Sequence, residues 1–299
     1  MWGPSLPTKV DDVVCEAFRG VGLQVLVTAM NQSLVQVAVN NFTALPSGVT
    51  GGVEGGIGNF YANSTLDQRP GITCQLWAKG TGAKSKLKLE KEFVFRVLHS
   101  LLTTPTVALF NDLHSQSKFN ISRTIGFYGD GFETHVEKYD RHLISIPLMM
   151  GHDFLIEEEI AYKEGVMGGF LWLFCDSVIH ALTIGQKAVE AVRNLPNIGV
   201  IFGVCASGSK LRSINYPGYG PSTNQMFCPT LRSILPDSRV PPNVKSIPEL
   251  VFNAFDLPTL KRALKAVITA IHNEEGLIRI SSQSFGGQLG DYSISLRDL

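Results

Sequence analysis

The order of apolar and polar positions divides the chain into strand-length and helix-length segments, most clearly in the C-terminal half. Residues 170–175, Phe-Leu-Trp-Leu-Phe-Cys, are a continuous apolar run of strand length. Ala181, Ile184, Ala188, Val189 and Val192 follow at the spacing of one helical face, and residues 199–205 form a second buried strand. That is a β-α-β unit. After a long Gly/Pro/Ser-rich loop, 206–243, the pattern returns. Residues 250–254 read as a strand, and Leu260, Leu264, Val267, Ile268 and Ile271 form a helical stripe. Pro258 falls in the first turn, where its missing N–H removes no helical hydrogen bond. Gly276 closes the helix, and 277–280 is the next strand. Two β-α-β units in tandem predict a ferredoxin-like sandwich, a sheet with two helices on one face.

The N-terminal half carries a fainter version. Its segments are a strand at 23–27, a helix at 33–41, a Gly-rich stretch at 48–58, a strand at 72–77, a helix at 83–102 and a strand at 107–110. Part of 84–97 alternates polar and apolar, which would suit a strand, but its length and its Leu, Lys, Glu and Arg content favour helix. Residues 123–167 read as short strands joined by turns such as Gly129-Asp130-Gly131. The expected fold class is α+β: two ferredoxin-like α/β sandwich lobes, a tandem duplication of fold, with a β-rich insert between them. The expected division is an N-terminal lobe with connecting strands over 1–145 and a C-terminal lobe over 146–299.

Composition narrows the function. A chain of 299 residues buries a core without staples. Lys plus Arg equals Asp plus Glu at 26 each, so there is no electrostatic footprint for nucleic acid or an anionic membrane. No apolar run reaches the ~18 residues of a membrane span, and residues 1–9 lack the apolar core of a signal peptide. The five Cys are dispersed with no Cys-x-x-Cys, which reads as free thiols in a reducing, cytoplasmic compartment. The seven His show no metal spacing, and the glycine spacing of Ser207-Gly208-Ser209-Lys210 is not that of a phosphate loop. No metal, nucleotide or other cofactor is expected. No Gly-x-Ser-x-Gly occurs and Cys228 has no identifiable His partner, so a covalent acyl-enzyme finds no support.

Glu249, in Ile-Pro-Glu-Leu-Val-Phe, is a lone carboxylate at the mouth of an apolar strand. It reads either as a solvated strand-entry residue or as a general acid/base whose pKa burial raises. The loop Ser207, Gly208, Ser209 and Lys210 reads either as a hydroxyl-rich turn or as donors near a developing oxyanion, with Lys210 free to hold a carboxylate. Asp130 sits in a tight-turn pattern, and Arg69 either holds a ligand carboxylate or pairs with Asp67.

Several motifs then fall in order along the chain. They are Arg69-Pro70-Gly71-Ile72-Thr73, Thr103-Thr104-Pro105-Thr106, Phe127-Tyr128-Gly129-Asp130-Gly131-Phe132, Ala206-Ser207-Gly208-Ser209-Lys210, Ser222-Thr223-Asn224 with Cys228-Pro229-Thr230, and Phe285-Gly286-Gly287. In this order and spacing the chain resembles the formylmethanofuran:tetrahydromethanopterin formyltransferase family over nearly its whole length. The resemblance implies two ferredoxin-like lobes and a cofactor-free N-formyltransferase. Its substrates would be a formylated furan-type carrier, methanofuran or methylofuran, and tetrahydromethanopterin. It implies Glu249 as the acid/base and Ser207, Gly208, Ser209, Lys210, Thr223, Asn224, Glu54, Arg69, Thr106 and Asp130 as substrate-binding positions. It also implies a homotetramer and, in methylotrophic bacteria, membership of a formyltransferase/hydrolase complex. Against the family pattern, residues 29–34 lack a basic-aromatic pair, Ser284 and Gln288 replace Asn and Lys, and Phe170 replaces an Asn. These departures raise an alternative from another class: a catalytically weak or inactive structural subunit of a multi-subunit C1-transfer complex.

Overall fold

A computed structural model of the chain describes residues 9–44, 52–193, 195–210, 212–219, 221–288 and 290–299. Part of the expected Gly-rich stretch, 48–51, and the side chain of Ser209 lie outside them. Contacts divide the chain into two compact units: Gly20–Gly165, and Met1–Arg19 together with Val166–Leu299.

The first unit begins within β1 (Val14–Thr28) and continues through α1 (Gln32–Thr43), β2 (Val53–Tyr61), β3 (Gly71–Lys79), α2 (Ala83–Arg96) and β4 (Ala108–Asn111). One π turn, Val97–Leu101, extends α2, so the helical reading of 83–102 holds over the strand-like alternation. Asn31 caps α1 by accepting the Leu34 N–H at 3.0 Å. The strands lie in the order β2-β3-β1-β4. Val21, Leu23, Val25 and Val27 on β1 and Ile72, Cys74, Leu76 and Ala78 on β3 alternate toward a core shared with Val35, Ala38, Val39 and Phe42 of α1 and Leu89 and Phe93 of α2.

The segment expected as a β-rich insert continues this sheet. After β5 (Lys118–Asn120) and the short α3 (Ser122–Gly126) come β6 (Thr134–Lys138), β7 (Arg141–Leu148) and β8 (His152–Glu157). β8 pairs with β4 in parallel, and β7 and β6 follow as a meander. The expected boundary at 145/146 falls inside β7, in the middle of that meander, so the compact unit runs on to Gly165. α3 places 123–126 in helix, within the 123–167 segment expected as short strands; a helix of five residues is too short for a hydrophobic period to declare itself.

The second unit is built on β9 (Glu159–Cys175), α4 (Val178–Val192), β10 (Ile198–Cys205), β11 (Ser209–Lys210), β12 (Ser222–Thr223), β13 (Glu249–Ala254), α5 (Leu257–Ile271), β14 (Leu277–Ser281) and β15 (Tyr292–Ser295). Ser177 and Asp256 cap α4 and α5 by accepting the N–H groups of His180 and Thr259. The four long strands lie in the order β14-β9-β13-β10, with β13 antiparallel to both neighbours. Leu171, Leu173, Ala181, Ile184, Leu250, Phe252, Leu264 and Ile268 share its core. Gly276, at φ 80°, turns α5 into β14 where a Cβ would meet the His180 ring at 2.0 Å.

Candidate active site

Strand register in the second unit assembles the site. Glu249, first residue of β13, lies opposite Trp172 of β9 on one side and Cys205 of β10 on the other. The Trp172 indole N–H donates to the Glu249 carboxylate at 2.8 Å. Period-two alternation puts Phe170, Trp172 and Phe174 on one face, and they pack with Phe227 and Phe285; the Trp172 and Phe227 rings stand 4.8 Å apart. Burial in this aromatic setting raises the Glu249 pKa from 4.5 to about 7, opposed by the Trp172 hydrogen bond. Near neutrality the carboxyl can therefore both accept and give up a proton. Cys15 stays a thiol, pushed by burial to about 11, and its sulfur accepts the Phe170 N–H at 3.2 Å.

Beside this group lies a cavity of about 360 Å³. Trp172, Phe227, Val204, Leu182 and Pro248 give it apolar walls, and Gly208, Thr223 and Asn224 are its polar edge. The hairpin β11–β12 sets that edge: Ser209 pairs with Thr223 and Lys210 with Ser222, and the Asn224 N–H donates to the Gly208 carbonyl at 2.9 Å. Of the expected binding residues, Gly208, Thr223 and Asn224 thus come together at one cavity. Ser207 is exposed and does not line it. The Lys210 ammonium is taken up by the Gln225 side chain and does not line it either.

The remaining expected residues belong to the other unit. Arg69 and Asp67 form an ion pair at 2.8 Å. The Arg69 guanidinium also donates to the Thr28 hydroxyl at 2.9 Å and to the Thr106 carbonyl at 2.6 Å. Of the two readings of Arg69, this is the pairing one. Burial works to raise the Asp67 pKa, but hydrogen bonds from Thr28, Arg69 and Thr65 and the Arg69 charge outweigh it and hold it below the usual value. Thr106 is left-handed at φ 64°, an uncommon state for a β-branched residue. Its N–H donates to His152 at 3.0 Å and its hydroxyl accepts the Met30 N–H at 3.0 Å. Glu54 is buried on β2, in register with Trp77. Asp130 is exposed in a left-handed turn at φ 51°, the tight-turn reading. No group of three or more His, Cys, Asp or Glu converges as a metal site among the described residues. No described helix is long and apolar enough to cross a membrane.

Sequence reasoning singled out Glu249 as a candidate but did not anticipate its partner Trp172 or its opposition to Cys205. Their signal is strand register, which a linear reading does not contain.

A half-buried carboxyl with its pKa raised toward neutrality, held by one hydrogen bond beside a mostly apolar cavity, is a group able to exchange protons during group transfer. The model of formylmethanofuran-tetrahydromethanopterin formyltransferase matches residues 7–148, and that of the proximal lobe of the same enzyme matches 152–299. A formylmethanofuran–tetrahydromethanopterin formyltransferase-like protein of Archaeoglobus fulgidus is 40% identical over 294 residues, 97% of this chain and 96% of its own length. The formylmethanofuran–tetrahydromethanopterin formyltransferase of Methanothermobacter thermautotrophicus is 36% identical over 97% of this chain and 98% of its own. The solved structure of the Methanosarcina barkeri formyltransferase superposes with a TM-score of 0.89 at 31% identity, covering 97% of both chains. A chain of the formyltransferase/hydrolase complex of Methylorubrum extorquens, solved with methylofuran, gives 0.83 at 28% identity over 97% of this chain and 96% of that one. The chain belongs to the formylmethanofuran-tetrahydromethanopterin formyltransferase family and is an N-formyltransferase.

Proposed function

We propose that the chain moves a formyl group directly between the primary amine of a furan-type carrier, methanofuran or methylofuran, and tetrahydromethanopterin, with Glu249 as general acid/base. The observation that carries this reading is the Glu249 carboxyl, raised to about 7 and held by Trp172 beside the cavity. The attacking nitrogen forms a bond to the formyl carbon and the carbonyl becomes an oxyanion. Glu249 takes the proton from that nitrogen and returns one to the departing nitrogen as the second C–N bond breaks. No net charge is left on the enzyme. The Gly208 backbone and the Thr223 hydroxyl, both on the cavity, are the groups assigned to the oxyanion. Holding both carriers in one site makes the attack nearly intramolecular. Arg69 acts by holding Thr106, and Glu54, Ser207, Ser209, Lys210 and Asp130 are placed at the carriers' outer portions on the family resemblance alone.

The strand orders β2-β3-β1-β4 and β14-β9-β13-β10, each on a βαββαβ path, support reading both units as ferredoxin-like. The two matched models meet between 148 and 152, close to the expected 145/146 division, whereas contacts carry the first compact unit on to Gly165. A cytoplasmic homo-oligomer, with four copies as in the family, fits the exposed Val178, Ile179 and Leu182 on α4. A functional monomer by sedimentation would remove that part. The formyltransferase-like name of the Archaeoglobus relative favours a second reading, a catalytically weak structural subunit. Formyl exchange between the two carriers by the purified chain, with and without partner subunits, separates them. Turnover by the chain alone supports transfer, and turnover only by an assembly containing an Glu249→Gln chain supports the structural role.

A further inference from the structure

A second cavity, of about 340 Å³, lies in the first unit, where β4 and β8 end and β5 and β7 begin. Asp112 and Arg141 line it together with Lys118, His114 and Glu157. Asp112 is an exposed residue whose carboxyl is held from behind. The Gln24 amide donates to its Oδ2 at 2.8 Å and to its carbonyl at 3.1 Å, and the Asp112 N–H donates to the Gln24 carbonyl at 3.0 Å. Behind Gln24, the Gln75 amide donates to Gln24 Oε1 at 2.7 Å, and the Trp77 indole donates to Gln75 Oε1 at 2.8 Å. Gln24, Gln75 and Trp77 are all buried. Buried amides are unfavourable unless paired, and here every donor in the chain points toward one carboxylate at the edge of a cavity. Arg141 is held through a single nitrogen. Its Nη1 donates to Glu157 at 3.1 Å, and Glu157 is fixed in turn by the Asn111 N–H at 2.9 Å. Among the described residues, Asp112 Oδ1 and the Nε and Nη2 of Arg141 take part in no hydrogen bond, and Asp112 and Arg141 form no ion pair with each other. Desolvation holds the Asp112 pKa above its ordinary value, against the Gln24 hydrogen bond and the Arg141 and His114 charges, so both basic groups act on it across the space between.

We propose that this cavity is a second binding site, for a small zwitterion of the α-amino acid class, with its ammonium on Asp112 Oδ1 and its carboxylate on the Nε–Nη2 edge of Arg141. Each of the two side chains uses one half for anchorage within the fold and presents the other half to the cavity. The Nε–Nη2 edge of a guanidinium is a fork that matches a carboxylate in two parallel hydrogen bonds. A carboxylate oxygen fixed by Gln24 leaves its companion oxygen to accept from an ammonium. The lining carries two carboxylates, Asp112 and Glu157, and two cations, Lys118 and Arg141. A bare anion at Arg141 would face Asp112, and a bare cation at Asp112 would face Arg141. Only a ligand bearing both charges meets an opposite charge at each end. None of these side chains lines the cavity beside Glu249, so the site is independent of the formyl-transfer reading.

Calorimetric titration of the full chain with glycine, L-serine and L-aspartate tests it, beside two blocked analogues, N-acetyl-L-serine and L-serinamide. At least one free amino acid should bind with a dissociation constant of about 1 mM or below. Blocking either charge of L-serine should weaken its binding about tenfold or more, and so should Asp112→Asn and Arg141→Met, since each removes a charge-assisted hydrogen bond. Formyl transfer by both variants should stay within about twofold of wild type, because neither residue is at the other cavity. If none of the three amino acids binds at about 10 mM, the proposal is overturned. It is overturned equally if N-acetyl-L-serine binds as tightly as L-serine, which would make this a simple anion site, or if L-serinamide does, which would make it a cation site. Affinity retained within twofold by Asp112→Asn would place the binding elsewhere and reject the proposal as well. Should Arg141→Met melt far below wild type, Asp112→Asn and the blocked analogues decide the matter without it.

Discussion

Glu249→Gln separates the chemical role of the carboxyl from its place in the fold. The amide keeps the shape, and its oxygen can still accept the Trp172 N–H seen at 2.8 Å, but it cannot exchange a proton. A positioned acid/base contributes about 10²–10⁴-fold, so kcat should fall at least a hundredfold with pterin affinity near normal, because the loss falls on the transition state. Stability should move the other way. Burial raises the folded pKa from 4.5 to about 7. Below pH 4.5 the group is protonated in both states. Between 4.5 and 7 the unfolded chain releases the proton while the folded chain keeps it, so wild-type stability falls as pH rises. The difference between 7 and 4.5 corresponds to about 3.5 kcal/mol at ~1.4 kcal/mol for each tenfold change in proton affinity. Glu249→Gln lacks this slope. In urea denaturation it should gain about 2–3 kcal/mol on wild type between pH 5 and pH 8. The rate assay is formyl transfer at saturating carriers across the same pH range, where the wild-type inflection near 7 should vanish in the variant. More than about a third of wild-type turnover in the variant, or parallel stability curves, would refute the reasoning and leave Glu249 a strand-entry residue.

Trp172→Phe removes the hydrogen bond that opposes the rise in the Glu249 pKa, so the pH–rate inflection should move above 7; a change confined to kcat, with the inflection unmoved, would mean that the indole only packs. Arg69→Met leaves Asp67, whose side chain is 1% exposed, without its cation. Breaking a buried pair removes about 3–5 kcal/mol, and because the Arg69 side chain is 30% exposed the expected loss is about 2–3 kcal/mol at pH 7. The Asp67 pKa is depressed in the fold, so its contribution is present above 3.8 and disappears as pH falls through the lower folded value; the gap between the two proteins in urea should narrow on that descent. Gly276→Ala puts a Cβ at φ 80° and 2.0 Å from the His180 ring, and should lower stability by about 2–4 kcal/mol by denaturant titration, with part of the loss recovered in a His180→Ala background.

The main elements are legible because each is long enough for its period to show. The stripe Leu260, Leu264, Val267, Ile268 and Ile271 becomes the buried face of α5, and the run 170–175 becomes the buried end of β9. Short or non-local features are not legible. The parallel pairing of β4 with β8 joins residues more than forty positions apart, and nothing in either segment encodes the partner. Glu249 can be picked out because a carboxylate at the mouth of an apolar strand is out of pattern. Trp172, 77 positions away, reads only as one more apolar residue until register places it opposite. Lys210 shows the same limit: a free-looking cation in sequence has Gln225 beside it in space, a contact that the sequence does not show.

The repeated topology shows why the candidate acid/base falls in one unit. In both, the second strand bulges against the start of the third. β10 shifts register between Ile201 and Cys205, where Phe202 and Gly203 are left-handed, and β2 shifts between Ile57 and Phe60. Bulges bend a strand and open its pairing, which makes room beside it. In the second unit the residue of the third strand beyond the bulge is Glu249, and its neighbour on the first strand is Trp172. At the matching place in the other unit, two positions before the last regular pair, stands Ile72, opposite Val27. The same backbone device there has no proton carrier and no donor to hold one. What that strand entry carries in its place is the Arg69–Asp67 pair and its grip on Thr106, a support in which each guanidinium nitrogen is engaged within the protein. The bulge is a property of the fold, and the reaction depends on which side chains a given unit places beside it.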